Sequence, residues 1–158
     1  MITLFHTACD QEEIEIVSAV LASGKLVMGE HVDVLESALC EKLSLPQGNA
    51  ITCASGTDAL TLALEALGVG PDDDVLIPAM TFSATAEAVL RLRANPVLVD
   101  VAPGGCTPSY EQWLEAASKC EPRAVIAVHL YGWPSRDIER VATHLRERDV
   151  PLVEDCAQ

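Results

Sequence analysis

Apolar positions along the chain fall into two alternating kinds of run. Four are short and nearly continuous: Asp74-Val-Leu-Ile-Pro78, Pro96-Val-Leu-Val-Asp100, Arg123-Ala-Val-Ile-Ala-Val128 and Pro151-Leu-Val-Glu-Asp155. Their length and β-branched content predict buried strands. Between them apolar residues return every three or four positions, which predicts helices over about 83–93, 109–119 and 136–148. Upstream, Ala50-Ile-Thr-Cys53 reads as a further short strand that stops at Ala54-Ser55-Gly56-Thr57. Leu60, Leu62, Ala63, Leu64 and Leu67 then follow at helical spacing. Two more helices are expected before it. Asp10-Gln-Glu-Glu13 has the form of a capping box, with Ile14, Ile16, Val17, Val20 and Leu21 behind it and Gly24 as the stop. Val32, Leu35, Leu39 and Leu43 give the second, from about Glu30 to Leu43. Pro46-Gln-Gly-Asn49 and Gly68-Val-Gly-Pro-Asp-Asp73 are turns.

Continuous apolar strands separated by helices predict an α/β fold with an open, mainly parallel sheet flanked by helices on both faces. Residues 1–48 form an N-terminal helical segment in this reading, and residues 49–158 the sheet domain. Ligands in such sheets bind beyond the carboxyl ends of the strands. Here those ends read Ala54-Ser-Gly-Thr57, Pro78-Ala-Met-Thr-Phe82, Asp100, His129-Leu-Tyr131-Gly132 and Glu154-Asp155-Cys-Ala-Gln158. The turn at Ser55-Gly56-Thr57 places the first free N–H groups of a helix, a glycine that lets a ligand approach the backbone, and two hydroxyls at one point. Such a helix N-terminus suits an anion, and a phosphate would fit. The same residues also serve to cap a core helix, so both readings stay open. No GxGxxG or GxxxxGK[ST] follows any strand, which disfavours a dinucleotide or a nucleoside triphosphate.

At 158 residues the chain is long enough for one domain with a core. Its 24 acidic against 10 basic residues, a net charge of -14, repel nucleic-acid phosphates and anionic membranes, so neither is an expected partner. The acidic residues are spread through helices rather than blocked into a tail, as on a solvated surface. Six cysteines show no paired CxxC spacing and no histidine cluster that would suggest a metal site. The N-terminal Met1-Ile-Thr-Leu-Phe-His6 has no apolar signal character, so reduced thiols and a cytoplasmic location are expected. No run reaches the length of a membrane span.

Six motifs in order and spacing resemble one family: Ser23-Gly24 with Gly29, Ala54-Ser-Gly-Thr-Asp-Ala-Leu60, Pro78-Ala-Met-Thr-Phe-Ser-Ala-Thr85, Pro96-Val-Leu-Val-Asp100, Val128-His-Leu-Tyr-Gly132 and Val153-Glu-Asp-Cys-Ala-Gln158. Together they look like the first part of a nucleotide-sugar aminotransferase of the DegT/StrS type, a pyridoxal-phosphate enzyme of fold type I. The resemblance implies that Gly56 and Thr57 hold the cofactor phosphate and that Phe82 lies on one face of the pyridine ring, where stacking adds about 1 kcal/mol. It implies that Asp155 accepts the proton-bearing pyridine nitrogen, keeping the ring cationic, and that Gln158 hydrogen-bonds the phenolic oxygen. A buried carboxylate needs such a partner. Taken alone, Phe82 reads first as a core side chain after a strand, and Asp155 also as a turn cap. His129 and Tyr131 are packing or substrate-side residues. The full form would move an amino group from an amino acid such as glutamate to a keto-sugar nucleotide.

The same resemblance implies a Schiff-base lysine a few tens of residues beyond the Asp155 motif. Lys25, Lys42 and Lys119 match no such position, so no catalytic residue is assigned and the isolated chain is expected to be inactive. The reading is then a partial large domain without the smaller C-terminal domain. Its uncovered sheet edge would associate with a second copy or with a complementary C-terminal half. The alternative is a non-catalytic scaffold protein that retains the fold and binds a partner. A third reading is an α/β domain of another kind that takes a small phosphorylated ligand.

Overall fold

In the computed structural model, which describes residues 8–158, the sheet is ordered around a strand whose every residue is buried. That strand is β3 (Ala124–Val128), and its sequence Ala-Val-Ile-Ala-Val suits burial on both faces. It pairs in parallel with β1 (Asp74–Pro78) on one side and β4 (Leu152–Asp155) on the other, and β1 pairs in parallel with β2 (Asn95–Val99). The order is β2-β1-β3-β4. The chain therefore runs outward from β1 to β2 and then crosses back to β3, so the winding reverses between β1 and β3.

Side-chain alternation divides the core into two layers. Val75, Ile77, Ala124, Ile126, Val128 and Val153 face one side, where Leu60 and Leu64 of α3 (Gly56–Ala66) and Ala88 and Val89 of α4 (Ser83–Arg91) cover them. Leu76, Val99, Val125, Ala127 and Leu152 face the other, against Trp113 of α5 (Tyr110–Lys119) and Val141 and Leu145 of α6 (Ile138–Arg146). Trp113 is only 2% exposed, and its indole N–H has no partner among the described residues. The α/β class, the parallel sheet and the helices on both faces are as expected.

The described chain divides into two compact units, one ending at Thr52 and one spanning Cys53–Gln158. The first contains α1 (Gln11–Ser23), opened by the Asp10 and Glu13 capping box and stopped at Gly24, and α2 (Glu30–Lys42). The Glu36 carboxylate of α2 accepts both the Thr52 backbone N–H at 2.7 Å and its hydroxyl at 2.9 Å. The stretch Met1–His6 lies outside the described residues.

One expected element is absent and several ends shift. Residues 50–53 form no strand; Ile51 is 83% exposed. A strand needs a ladder partner, and the Thr52 N–H is spent on Glu36 instead. Helix α4 stops at Arg91 because the chain turns through a positive φ at Arg93 to enter β2. Helix α6 begins two residues late, since Pro134 and a left-handed Asp137 precede it. Ser109 lies outside α5 as its N-cap, in a capping box with Gln112.

Candidate functional site

The winding reverses between β1 and β3, and open α/β sheets bind ligands beyond the carboxyl ends of the strands at such a point. β1 runs into Ala79-Met80-Thr81-Phe82, with the Ala79 N–H bound to Val99 O at 2.8 Å. Phe82 is the N-cap residue of α4, gives no side-chain cap and is 72% exposed. β3 runs into His129 and a short helical turn, Leu130–Gly132, which leaves Tyr131 and Trp133 exposed as well. Three large aromatic side chains thus follow adjacent strand ends without a protein cover.

Asp155 is the last residue of β4, in register with Val128. Alternation puts its side chain on the face of Val153, the layer covered by α3 and α4. It is half-buried, and its Oδ1 accepts only the Ala157 N–H, at 3.1 Å. The other carboxylate oxygen has no protein donor among the described residues. Gln158 is exposed, three residues on.

His129 sits between these ends. Its backbone N–H donates to Asp155 O at 3.1 Å, its Nδ1 accepts the Ser135 N–H at 3.0 Å, and its Nε2 lies 3.0 Å from the Glu154 carboxylate. The structure therefore gathers His129, Glu154, Asp155 and the Tyr131 turn at one edge. Glu154 and Ser135 were not singled out from the sequence. The signal was there in part: period two puts Glu154 on the opposite face from Asp155, toward the side His129 takes after Val128.

The turn before α3 is built as its sequence suggests. Ser55 caps the helix, its Oγ accepting the Asp58 N–H at 3.1 Å. The Gly56 and Thr57 N–H groups and the Thr57 hydroxyl find no acceptor among the described residues, leaving two adjacent backbone donors pointing out of a helix N-terminus. A Cβ added at Gly56 would meet nothing within 4 Å. In the same first turn Asp58 pairs with Arg91 at 3.0 Å. Arg91 ends α4, whereas Phe82 precedes it, so the pair anchors this turn to the end of α4 away from Phe82. No hydrogen bond or ion pair joins Gly56 or Thr57 to Phe82, Asp155 or Gln158.

Taken singly, these groups suit the parts of a phosphorylated aromatic cation. Free amide donors with open space at Gly56 suit a phosphate, an uncovered aromatic face suits a ring, and a half-buried carboxylate with a free oxygen suits a cationic N–H. Nucleophiles are less favoured there. Burial, and then the charges of Glu154 and Asp155, push the Cys156 thiol above its ordinary range, which keeps it protonated. Lys119, the lysine of the Cys53–Gln158 unit, ends α5 in an ion pair with Glu115 at 2.6 Å. It lines a cavity along the β2 edge with Val97, Val99 and Asp100, which contains none of Gly56, Phe82 or Asp155. Lys25 and Lys42 belong to the other unit. Among the described residues no group of three or more His, Cys, Asp or Glu side chains could hold a metal ion. None of their helices is long and apolar enough to cross a membrane.

Comparison with known proteins identifies the family. The model of the DegT/DnrJ/EryC1/StrS aminotransferase family matches residues 7–158. The chain is 39% identical over 142 residues to a UDP-N-acetyl-3-dehydro-alpha-D-glucosamine 3-aminotransferase of Acidithiobacillus ferrooxidans, covering 90% of this chain and 37% of that protein. It is similar to the crystal structure of the aminotransferase TlmJ from Streptoalloteichus hindustanus, with a TM-score of 0.87, 36% identity, and coverage of 99% of this chain and 42% of that one. It is also similar to NtdA from Bacillus subtilis, solved with bound cofactor PMP, with a TM-score of 0.82, 31% identity, and coverage of 94% and 34%. The chain thus spans about two fifths of the length of the proteins it matches.

Proposed function

This chain belongs to the DegT/DnrJ/EryC1/StrS aminotransferase family, and from that premise we propose that it is the cofactor-binding part of an aminotransferase acting on a keto-sugar nucleotide, with an amino acid as donor. The cofactor that family membership brings is pyridoxal phosphate, and its α/β sheet is that of fold-type-I aminotransferases, of whose chains it spans about two fifths. The relatives' names supply the sugar-nucleotide class. Residues 1–48 act as an N-terminal helical segment and residues 49–158 as part of the cofactor-binding large domain.

The observation that carries the reading is Asp155: a strand-end carboxylate, half-buried, with one oxygen free and no protein cation beside it among the described residues. When bound, the cofactor supplies a cationic ring that withdraws electrons from an amino-acid carbon joined to it. Asp155 holds the proton on the ring nitrogen, and the Gly56 and Thr57 N–H groups with the Thr57 hydroxyl hold the phosphate. Phe82 covers one ring face, Gln158 orients the phenolic oxygen, and Tyr131 stands on the substrate side. Residues outside this sequence contribute the amine that joins the cofactor covalently, since Lys119 lies at the far end of α5. The 158-residue chain alone does not transaminate. A second copy, or a polypeptide bearing that lysine, covers the exposed aromatic edge, and the assembly works in the cytoplasm.

Titration of the chain with pyridoxal phosphate, followed by absorbance, tests this. Saturable binding is expected, weakened about 10-fold to 100-fold in Asp155→Ala through loss of a charge-assisted bond. Equal binding by the variant, or no saturation, would sink the assignment.

A further inference from the structure

We propose that His129 is a positioning residue, a latch that fixes the β4 end so that Asp155 is presented on the correct sheet face; the role in cofactor binding rests on the reading above. β4 has four residues and pairs on one side only, and Asp155 is its last paired position. Such an end frays unless something ties it. His129 supplies three ties from one residue. Its N–H holds Asp155 O at 3.1 Å, Nδ1 accepts the Ser135 N–H at 3.0 Å, and Nε2 meets Glu154 Oε2 at 3.0 Å. Because Nδ1 accepts from a backbone N–H, the neutral ring carries its proton on Nε2 and donates it to the carboxylate. The His129 side chain is 15% exposed and that of Glu154 46%, so the Nδ1 bond is the better shielded from water and the Nε2 bond the more open.

The latch acts through the pleat. Successive residues of a strand point to opposite faces, so holding Glu154 on one face holds Asp155 on the other. His129 bridges β3, the connection through Ser135, and β4, which no other side chain in the described residues does. Glu154 has no other ionic partner among them. The histidine touches neither the ring nor the phosphate in this arrangement; it acts through Asp155.

Two substitutions separate its bonds: His129→Asn keeps an acceptor near the Nδ1 position, and His129→Gln keeps a donor near the Nε2 position. In the full 158-residue chain, 15N NMR should show the Nε2-protonated tautomer in the native protein. Amide exchange at Ala157 and β4 should accelerate about tenfold in His129→Asn and in Glu154→Ala, and stay near native in His129→Gln. Pyridoxal phosphate affinity should fall about fivefold to tenfold in the same two variants. In an Asp155→Ala background His129→Asn should cost no further affinity, which simple destabilisation would not produce. Equal behaviour of the Asn and Gln variants, or an undiminished effect without Asp155, overturns the latch. If the native chain binds no cofactor, the cofactor reading fails, and unchanged exchange in His129→Asn then overturns the latch separately.

Discussion

Replacing Gly56 with alanine separates what the fold needs at the α3 turn from what a bound phosphate needs. Gly56 is the first residue of α3, its φ lies outside the left-handed region, and a Cβ there meets nothing within 4 Å. Neither backbone strain nor packing therefore requires glycine. Alanine would restrict the unfolded chain and favour the helix, stabilising by about 0.4–1 kcal/mol, at the lower end because the first turn makes few intrahelical bonds. With a urea m-value of about 1.5 kcal/mol/M, that is a rise of about 0.3 M in the unfolding midpoint. Binding should move the other way. The added methyl stands beside the free Gly56 and Thr57 N–H groups, and losing one charge-assisted bond to phosphate costs about 1.5–3 kcal/mol, or about 10-fold to 100-fold in affinity. Urea denaturation and a pyridoxal phosphate titration on the same preparation read both numbers. A destabilised variant would show that the glycine is structural. Unchanged affinity would remove the phosphate from this turn.

Two further outcomes follow from particular contacts. The Glu36 carboxyl is held below its ordinary value of 4.5, first by the Thr52 backbone N–H and then by the Thr52 hydroxyl. Because the folded value is depressed, its stabilising contribution is present above the ordinary value and is lost as pH falls through the folded one. An NMR titration should find the low midpoint, and Thr52→Val should raise it part of the way; an unmoved midpoint would refute the contact. Gly68 has φ +74°, and a Cβ there would sit 2.8 Å from Arg123 Nη2, the atom that donates to Leu67 O at 2.9 Å. Gly68→Ala should destabilise by about 2–3 kcal/mol, from a left-handed alanine and a displaced hydrogen bond. In denaturation experiments the double variant with Arg123→Ala should lose less than the sum of the two. Strict additivity would refute the clash.

What could be read along the chain was local. The capping box at Asp10, the stop at Gly24 and the cap at Ser55 each involve residues within three or four positions, and all appear in place, whereas the Ser109 capping box was not read from the sequence. β1 and β3 were legible because a strand buried on both faces is apolar throughout, and the edge strands β2 and β4 because each keeps a short apolar run although partly exposed. The stretch 50–53 has the same apolar character and forms no strand, since its hydrogen bonds depend on a neighbour that sequence pattern does not supply. Likewise His129 was visible as a strand-end residue, but not its bonds to Glu154, 25 positions away, nor the meeting of Arg123 with Leu67, 56 away.

Pattern and propensity thus determined the six helices of the described residues, the four strands from Asp74 onward and the α/β class, but not the absence of a strand at 50–53. Tertiary structure alone decided the order β2-β1-β3-β4, the reversal between β1 and β3, the pairing of Asp58 with Arg91, and the bonds that hold the β4 end. The physical reason is range: caps and periodicity are settled by neighbours in the chain, whereas strand order and side-chain partners are settled by which distant surfaces bury one another.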